Sequence, residues 1–438
     1  MRTLHRRSVT VIVLGLIAAS CAGSDDGSAQ TTPVTDVSVE TEVPATEPPA
    51  TEPPATEPPA TEPPATEPPA TEPPATEPPA TEPPEPASAR DIDFDAGYGH
   101  YEVGVQTITI ADTSGGDRNL TVDVWFPLGD LSGADPVPAQ YTLVEGTYYE
   151  SPFAFDVGAE SIATDGPFPL VIYSHGSGGI RYIHSNYTEM LASNGYIVAA
   201  PDHIGNTAAD RLFETEVDGA ITAINRPNDA QQVLDAFLDP ESTETVDYVA
   251  SIRPDQIAVT GHSFGGFTAY AMASGFSNDN GEFVADERVG AIIPLAPAAG
   301  PNLLTDELLA SITIPALVMA GTNDQTTPIE PNVTRPWELT ASSPSYRVDL
   351  VAAEHETFTD LCAYQAFLPT LPEALPLVID TINERTEAGC GADDMPIERA
   401  QAITNNFAVA FLDEVFKGGE PIALDQADEQ DDLTYMAK

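Results

Sequence analysis

The chain carries one stretch whose residue types and spacing can do covalent chemistry: Gly261-His262-Ser263-Phe264-Gly265-Gly266, a G-x-S-x-G. A serine between two spaced glycines matches a sharp strand-to-helix turn. Such a turn lifts the hydroxyl above a sheet, and glycines are needed where side chains would collide. The run Gln256–Thr260 before it reads as a buried strand and Gly265–Ser274 after it as a helix, whose N-terminus favours developing negative charge. In that context Ser263 is the candidate nucleophile, and His262 inside the motif reads as structural or pocket-lining.

A serine nucleophile needs a base. Histidines stand at 5, 100, 175, 184, 203, 262 and 355. The chain order Ser…Asp/Glu…His, characteristic of nucleophiles on such turns, leaves His355, just past the strand Tyr346–Val351. The acid that orients it should end a strand between the two. Ala316–Ala320 leads into Gly321-Thr322-Asn323-Asp324, so Asp324 is the candidate. Glu330 and Asp349 lie farther from a strand end or inside a strand. An oxyanion formed at Ser263 needs N–H donors. One is the backbone N–H of Phe264. The other is Ser177, in the glycine-rich turn Ser174-His175-Gly176-Ser177-Gly178-Gly179 after the strand Leu170–Tyr173; such a donor typically contributes roughly 3 kcal/mol to the transition state. No His/Asp/Glu cluster has metal-ligand spacing, so neither metal nor cofactor is expected.

These residues must be carried by a layered scaffold. Tyr101–Ile110 and Leu120–Phe126 alternate as an antiparallel hairpin around Asp112–Asp117. Beyond it, apolar strands (Leu170–Tyr173, Tyr196–Ala200, Gln256–Thr260, Val289–Leu295, Ala316–Ala320, Tyr346–Val351) alternate with helical stretches at Ile183–Ser193, Asp229–Leu238 and Gly265–Ser274. A last helix, Arg399–Phe416, stops at Gly418-Gly419. The expectation is an α/β fold, a mostly parallel sheet with an N-terminal antiparallel hairpin, with active residues at the carboxyl ends of strands. Asp130–Gly166 and Ile204–Pro227 carry no legible pattern and are expected to shape the pocket.

The motifs together resemble the α/β-hydrolase superfamily, and more narrowly the plasma-type platelet-activating-factor acetylhydrolases and the bacterial predicted dienelactone hydrolases. The resemblance rests on Tyr173–Gly179, Leu191–His203 with its Pro201-Asp202-His203 end, Gly261–Gly266 and Gly321–Asp324, and covers roughly residues 97–415. It implies a Ser263–His355–Asp324 triad with Ser177 and Phe264 as oxyanion donors. It also implies a carboxylesterase acting on short-acyl small-molecule or lipid esters. In two places the chain departs from the pattern. Ser177 stands where the acetylhydrolases usually carry a bulky apolar residue, and dienelactone hydrolases use a cysteine nucleophile. A cutinase-like polyester hydrolase or a lipase is the alternative activity. A noncatalytic tethered binding module is the remote one, since all three triad residues are present.

Outside residues 97–438 the chain reads differently. Arg2, Arg6 and Arg7 precede the uncharged run Ser8–Ser20, too short to span a bilayer, and residues 1–20 read as a signal peptide. Ala18-Ala19-Ser20-Cys21 resembles a bacterial lipobox, which implies lipidation of Cys21 and a membrane tether on the outer face of the cytoplasmic membrane, or secretion if Cys21 stays unmodified. Residues 21–96 form an acidic, proline-rich linker with seven identical Thr-Glu-Pro-Pro-Ala copies over 46–80, a composition that favours extended polyproline II. With Cys21 lipidated, Cys362 and Cys390 remain as an even pair in an oxidising compartment, pointing to a disulfide rather than two free thiols.

The formal net charge is -53, from 69 Asp+Glu against 16 Lys+Arg. That balance disfavours nucleic acid as a partner, because phosphate would be repelled; the sequence specifies no oligomeric state. Residues 97–438 hold 52 of the acids and 12 of the bases, a charge of -40. Self-repulsion on that scale destabilises a compact state most when the Debye length is long. The melting temperature is therefore expected to rise from low salt to molar NaCl; a flat or falling curve would contradict this.

Overall fold

A computed structural model describes residues 92–438 apart from 96, 113–117, 132–134, 145–146, 369–378, 381, 384–385, 387–388 and 424–429. The signal peptide, Cys21 and the repeat tract lie outside the described residues, as does most of the turn at 112–117.

The strands are β1 (Val103–Ile110), β2 (Leu120–Pro127), β3 (Val137–Val144), β4 (Thr147–Asp156), β5 (Phe168–Ser174), β6 (Ile197–Pro201), β7 (Ile252–His262), β8 (Phe276–Asn278), β9 (Gly281–Phe283), β10 (Ala291–Leu295), β11 (Ala316–Gly321), β12 (Ser345–Leu350) and β13 (Leu433–Ala437). All but β8 and β9, which pair with each other, form one sheet in the order β13-β12-β11-β10-β7-β5-β6-β2-β1-β4-β3. Its centre, from β12 to β6, is parallel. The hairpin of β1 and β2 is antiparallel, in register from Val103 opposite Pro127 to Ile110 opposite Leu120.

The central strands are apolar on both faces because helices cover both. On β5, Val171 and Tyr173 enter one core with Leu191 and Phe411, while Leu170 and Ile172 enter the other with Val233 and Phe267. This period of two is the strand geometry. The first core is closed by α1 (Ser185–Ser193) and the long C-terminal helix (Ile397–Lys417). The second is closed by Gly219–Leu238 and Phe264–Ser274. Among the described residues no helix is long and apolar enough to cross a membrane.

Three departures from the sequence reading have physical causes. The helix expected over Asp229–Leu238 begins ten residues earlier, at Gly219, with Pro227 inside it; proline ordinarily marks a helix boundary and so hid the first half. The unpatterned stretch Asp130–Gly166 contains β3 and β4, whose exposed residues break clean alternation. β13 adds an antiparallel edge beside β12 from the acidic C-terminus.

The β3–β4 pair is fastened by one buried carboxylate on α1. Glu189 Oε1 accepts hydrogen bonds from Tyr141 (2.6 Å) and Ser151 (2.8 Å), Oε2 accepts one from Tyr98 (3.2 Å), and Trp125 donates to the Tyr141 hydroxyl. Burial raises the Glu189 carboxyl to about 7, more than these donors lower it, and the nearby Asp360, itself raised to about 6 by burial, adds to the rise. The folded chain therefore binds this proton more tightly than the unfolded one. Ionising Glu189 costs stability as pH rises from about 4.5 to about 7, and the cost is complete above that. Glu189→Gln removes the charge and keeps one acceptor oxygen for Tyr141 and Ser151, its amide N–H donating towards the Tyr98 hydroxyl instead. It is expected to melt about 5 °C or more above the parent at pH 8 and to lose that advantage by pH 5. An offset that does not change with pH would show that the carboxylate's charge is not the cause.

Candidate active site

The strand β7 ends at His262 and the next helix begins at Phe264, so Ser263 alone makes the turn, at φ 57° and ψ -115°. A positive φ at a non-glycine residue is strained, typically by about 1–3 kcal/mol, and persists only where the surroundings enforce it. The surroundings do. A Cβ on Gly265 would stand 1.8 Å from the Ser174 carbonyl oxygen, and one on Gly261 would stand 2.3 Å from the same atom. The Ser263 N–H donates to Leu295 O at the end of β10, and its carbonyl accepts from Ala298 N.

His355 opens a short 3₁₀ turn, His355–Phe358, after β12. Its Nδ1 lies 2.7 Å from Asp324 Oδ2, both side chains being almost fully buried. Asp324 sits just past β11. Its carboxylate also accepts hydrogen bonds from the N–H groups of Thr326 (2.8 Å) and Thr327 (2.7 Å) and from the Thr327 hydroxyl (2.8 Å). Burial alone would raise the Asp324 carboxyl, but the His355 contact and the Thr327 donors together carry it below its ordinary value. A carboxylate held ionised in this way fixes the imidazole tautomer with Nε2 free to take a proton. The competing acids are placed otherwise: Asp349 pairs with Arg347, and Glu330 is exposed.

Ser263 and His355 line one cavity of about 340 Å³, together with Gly176, Ser177, Arg211 and Glu356. Ser177 lies in the loop after β5, its Oγ accepting from Asn206 Nδ2 at 3.1 Å. Phe264 is the first residue of its helix, where an N–H has no intrahelical acceptor. His262 also lines the cavity, and its Nε2 donates to the His355 carbonyl at 2.9 Å. Burial pushes its pKa well below the usual histidine value, so the ring is a neutral prop for the His355 backbone. Cys362 and Cys390 are joined in a disulfide that ties the helix Leu361–Phe367, directly after the His355 turn, to the segment before the C-terminal helix. Among the described residues no three His, Cys, Asp or Glu side chains gather as a metal-binding group.

Sequence reasoning missed two features. Thr327 bonds Asp324, the Ala296 carbonyl and the imidazole edge; the signal was Asp324 followed two and three residues on by Thr326 and Thr327, whose N–H groups close onto it. The second is another Ser–His–Asp set. Ser174 Oγ lies 2.8 Å from His203 Nε2, and His203 Nδ1 lies 2.9 Å from Asp229. Ser174 and His203 are wholly inaccessible, so no ester can reach them. Of the two serines, Ser263 is the one that lines the cavity.

Comparison with known proteins agrees with the scaffold. Residues 147–220, which span β4 to the start of the 219–238 helix and include the Ser177 loop, match the family model described as platelet-activating factor acetylhydrolase, isoform II. A ferulic acid esterase from Streptomyces cinnamoneus superposes with a TM-score of 0.55 at 23% identity, over 80% of this chain and 100% of that one. The chain has an α/β-hydrolase fold. "Chlorophyllase type 0" of Chenopodium album is 29% identical over 187 residues, 38% of this chain and 48% of that protein. The platelet-activating factor acetylhydrolase of Canis lupus familiaris is 32% identical over 148 residues, 26% of this chain and 33% of that protein. The chain thus aligns with less than half the length of these curated relatives.

Proposed function

We propose that this α/β-hydrolase is an exported, membrane-tethered serine ester hydrolase that cleaves short-acyl esters through an acyl-enzyme. The observation that carries the reading is the Asp324–His355 contact of 2.7 Å beside a cavity that also exposes the strained Ser263. In this reading Ser263 Oγ attacks the ester carbonyl while His355 Nε2 takes its proton, and Asp324 stabilises the imidazolium. The carbonyl oxygen, now negative, is met by the N–H groups of Ser177 and Phe264. Collapse expels the alcohol, protonated by His355. Water, deprotonated by the same imidazole, then releases the acid and frees the serine. The tether is assigned to Cys21 and the spacer to the Thr-Glu-Pro-Pro-Ala tract.

The short-acyl preference is supported by a cavity of about 340 Å³, near the lower bound of about 300 Å³ for small-molecule pockets. One observation favours a second reading, a lipase-like or cutinase-like groove: Leu212 (59% exposed) and Phe213 (53%) directly follow the cavity residue Arg211. The two readings separate in kcat/KM for nitrophenyl esters of two to sixteen carbons. A groove gains about 0.8 kcal/mol per methylene, whereas a closed pocket penalises added carbons by overpacking. Acetate to butyrate are expected to be best, and Ser263→Ala is expected to lose about 10⁴-fold or more. Dodecanoate or palmitate outrunning butyrate would transfer the assignment to the groove. Near-parental turnover by a folded Ser263→Ala protein would end the serine mechanism altogether.

A further inference from the structure

Among the described residues, Arg226 is the largest charged side chain sealed inside the protein, with no accessible surface. A buried guanidinium is costly unless all its donors are met. The carboxylate one turn along its own helix, Asp229, is engaged by Arg118 (2.6 and 2.7 Å) and by His203. The hydrogen bonds of Arg226 go to neutral oxygens. Nη1 donates to the His175 carbonyl and to Ser174 Oγ (3.3 Å), Nη2 to the Gly176 carbonyl (3.0 Å), and both Nε (3.0 Å) and Nη2 (2.6 Å) to Asn206 Oδ1. The last two backbone carbonyls before Ser177 are thus held by one fork.

The same group reaches Ser177 by a second route and Phe264 by a third. Asn206, fixed by Arg226, donates from Nδ2 to Ser177 Oγ (3.1 Å), and its carbonyl accepts from Gly178 N (3.0 Å). The guanidinium carbon stands 5.1 Å from the centre of the Phe264 ring, within cation–π range. Burial pulls the guanidinium down to about 9. Its occupied donors keep it protonated at neutral pH.

We propose that Arg226 is the positioning residue of the oxyanion hole: its planar fork fixes the peptide planes of His175 and Gly176 so that the Ser177 N–H faces the same point as the N–H of Phe264. This rests on the esterase reading above. Arg226 itself touches no reacting atom; it acts through the loop and adds a fixed positive charge behind it. An oxyanion hole works because its donors are aimed before charge develops, and small misplacements cost rate rather than ground-state binding.

The test is kinetic. The parent, Arg226→Met, Arg226→Lys and Asn206→Ala are compared for kcat and KM on nitrophenyl butyrate and for inhibition by a trifluoromethyl ketone, which places an oxyanion in the hole. Ser263→Ala serves as the control for the underlying reading. Arg226→Met is expected to lower kcat about 100-fold with KM within about threefold. The ketone should weaken by the same factor, and Arg226→Lys should fall between Met and the parent. Should Arg226→Met not fold, Asn206→Ala, which cuts the link to Ser177, is read by the same criteria. Parental kcat in the folded variants, a loss confined to KM, or a fall in kcat with undiminished ketone affinity would each overturn the proposal. A parent whose esterase activity survives Ser263→Ala would instead overturn the serine reading, so the two failures are distinct.

Discussion

The arrangement at this end of the sheet depends on one close approach. The carbonyl oxygen of Ser174, the last residue of β5, presses so tightly on the turn between β7 and the following helix that only hydrogen fits at Gly261 and Gly265. The same contact explains why the turn is sharp enough to hold Ser263 at positive φ, and why the loop after β5 lies against the serine rather than away from it. The glycines of the motif are thus a packing requirement of two neighbouring parallel strands, and the conformation of Ser263 is its consequence. Helices on both faces lock the strands in register, so the approach cannot relax without opening a core.

Behind that contact the protein invests in polar rather than apolar packing. Ser174, His175, His203, Arg226, Asp229 and Asn206 are buried together beneath the Ser177 loop. Burial pushes both histidines far below their ordinary pKa, with Arg226 adding to the effect, so each is a neutral hydrogen-bonding spacer. Such a network is stable only when its members are satisfied, and it then permits a single arrangement. The Ser174–His203–Asp229 set shows why geometry alone does not identify a catalytic serine. Its hydrogen bonds are well formed, but it is closed to substrate and its partners all serve to hold a loop. Ser263 has the opposite character: a strained backbone, a cavity and a helix N-terminus.

What the sequence could reveal follows from how local each signal is. The strands from Leu170 to Val351 were legible because strands buried on both faces are short apolar runs between turn residues. Ser263, Asp324 and His355 stand out as candidates because each sits where one of those runs ends. The peripheral strands β3, β4 and β13 are not legible, since half-exposed strands carry mixed residues that resemble loops. The first half of the Gly219–Leu238 helix was masked by Pro227. Arg226 and Glu189 were illegible for a different reason: their meaning lies in partners at 174–176, 206, 141 and 151, and nothing within a few residues of either marks it as buried.

The central claim is that Ser263, and no other serine at this end of the sheet, forms the covalent intermediate. The direct measurement is fluorophosphonate treatment of the native protein, followed by intact mass and peptide mapping. A single adduct on the peptide carrying Ser263, abolished when His355 is replaced by Ala, is the predicted result. An adduct on Ser174 or Ser177, or no adduct on an active protein, would contradict the account.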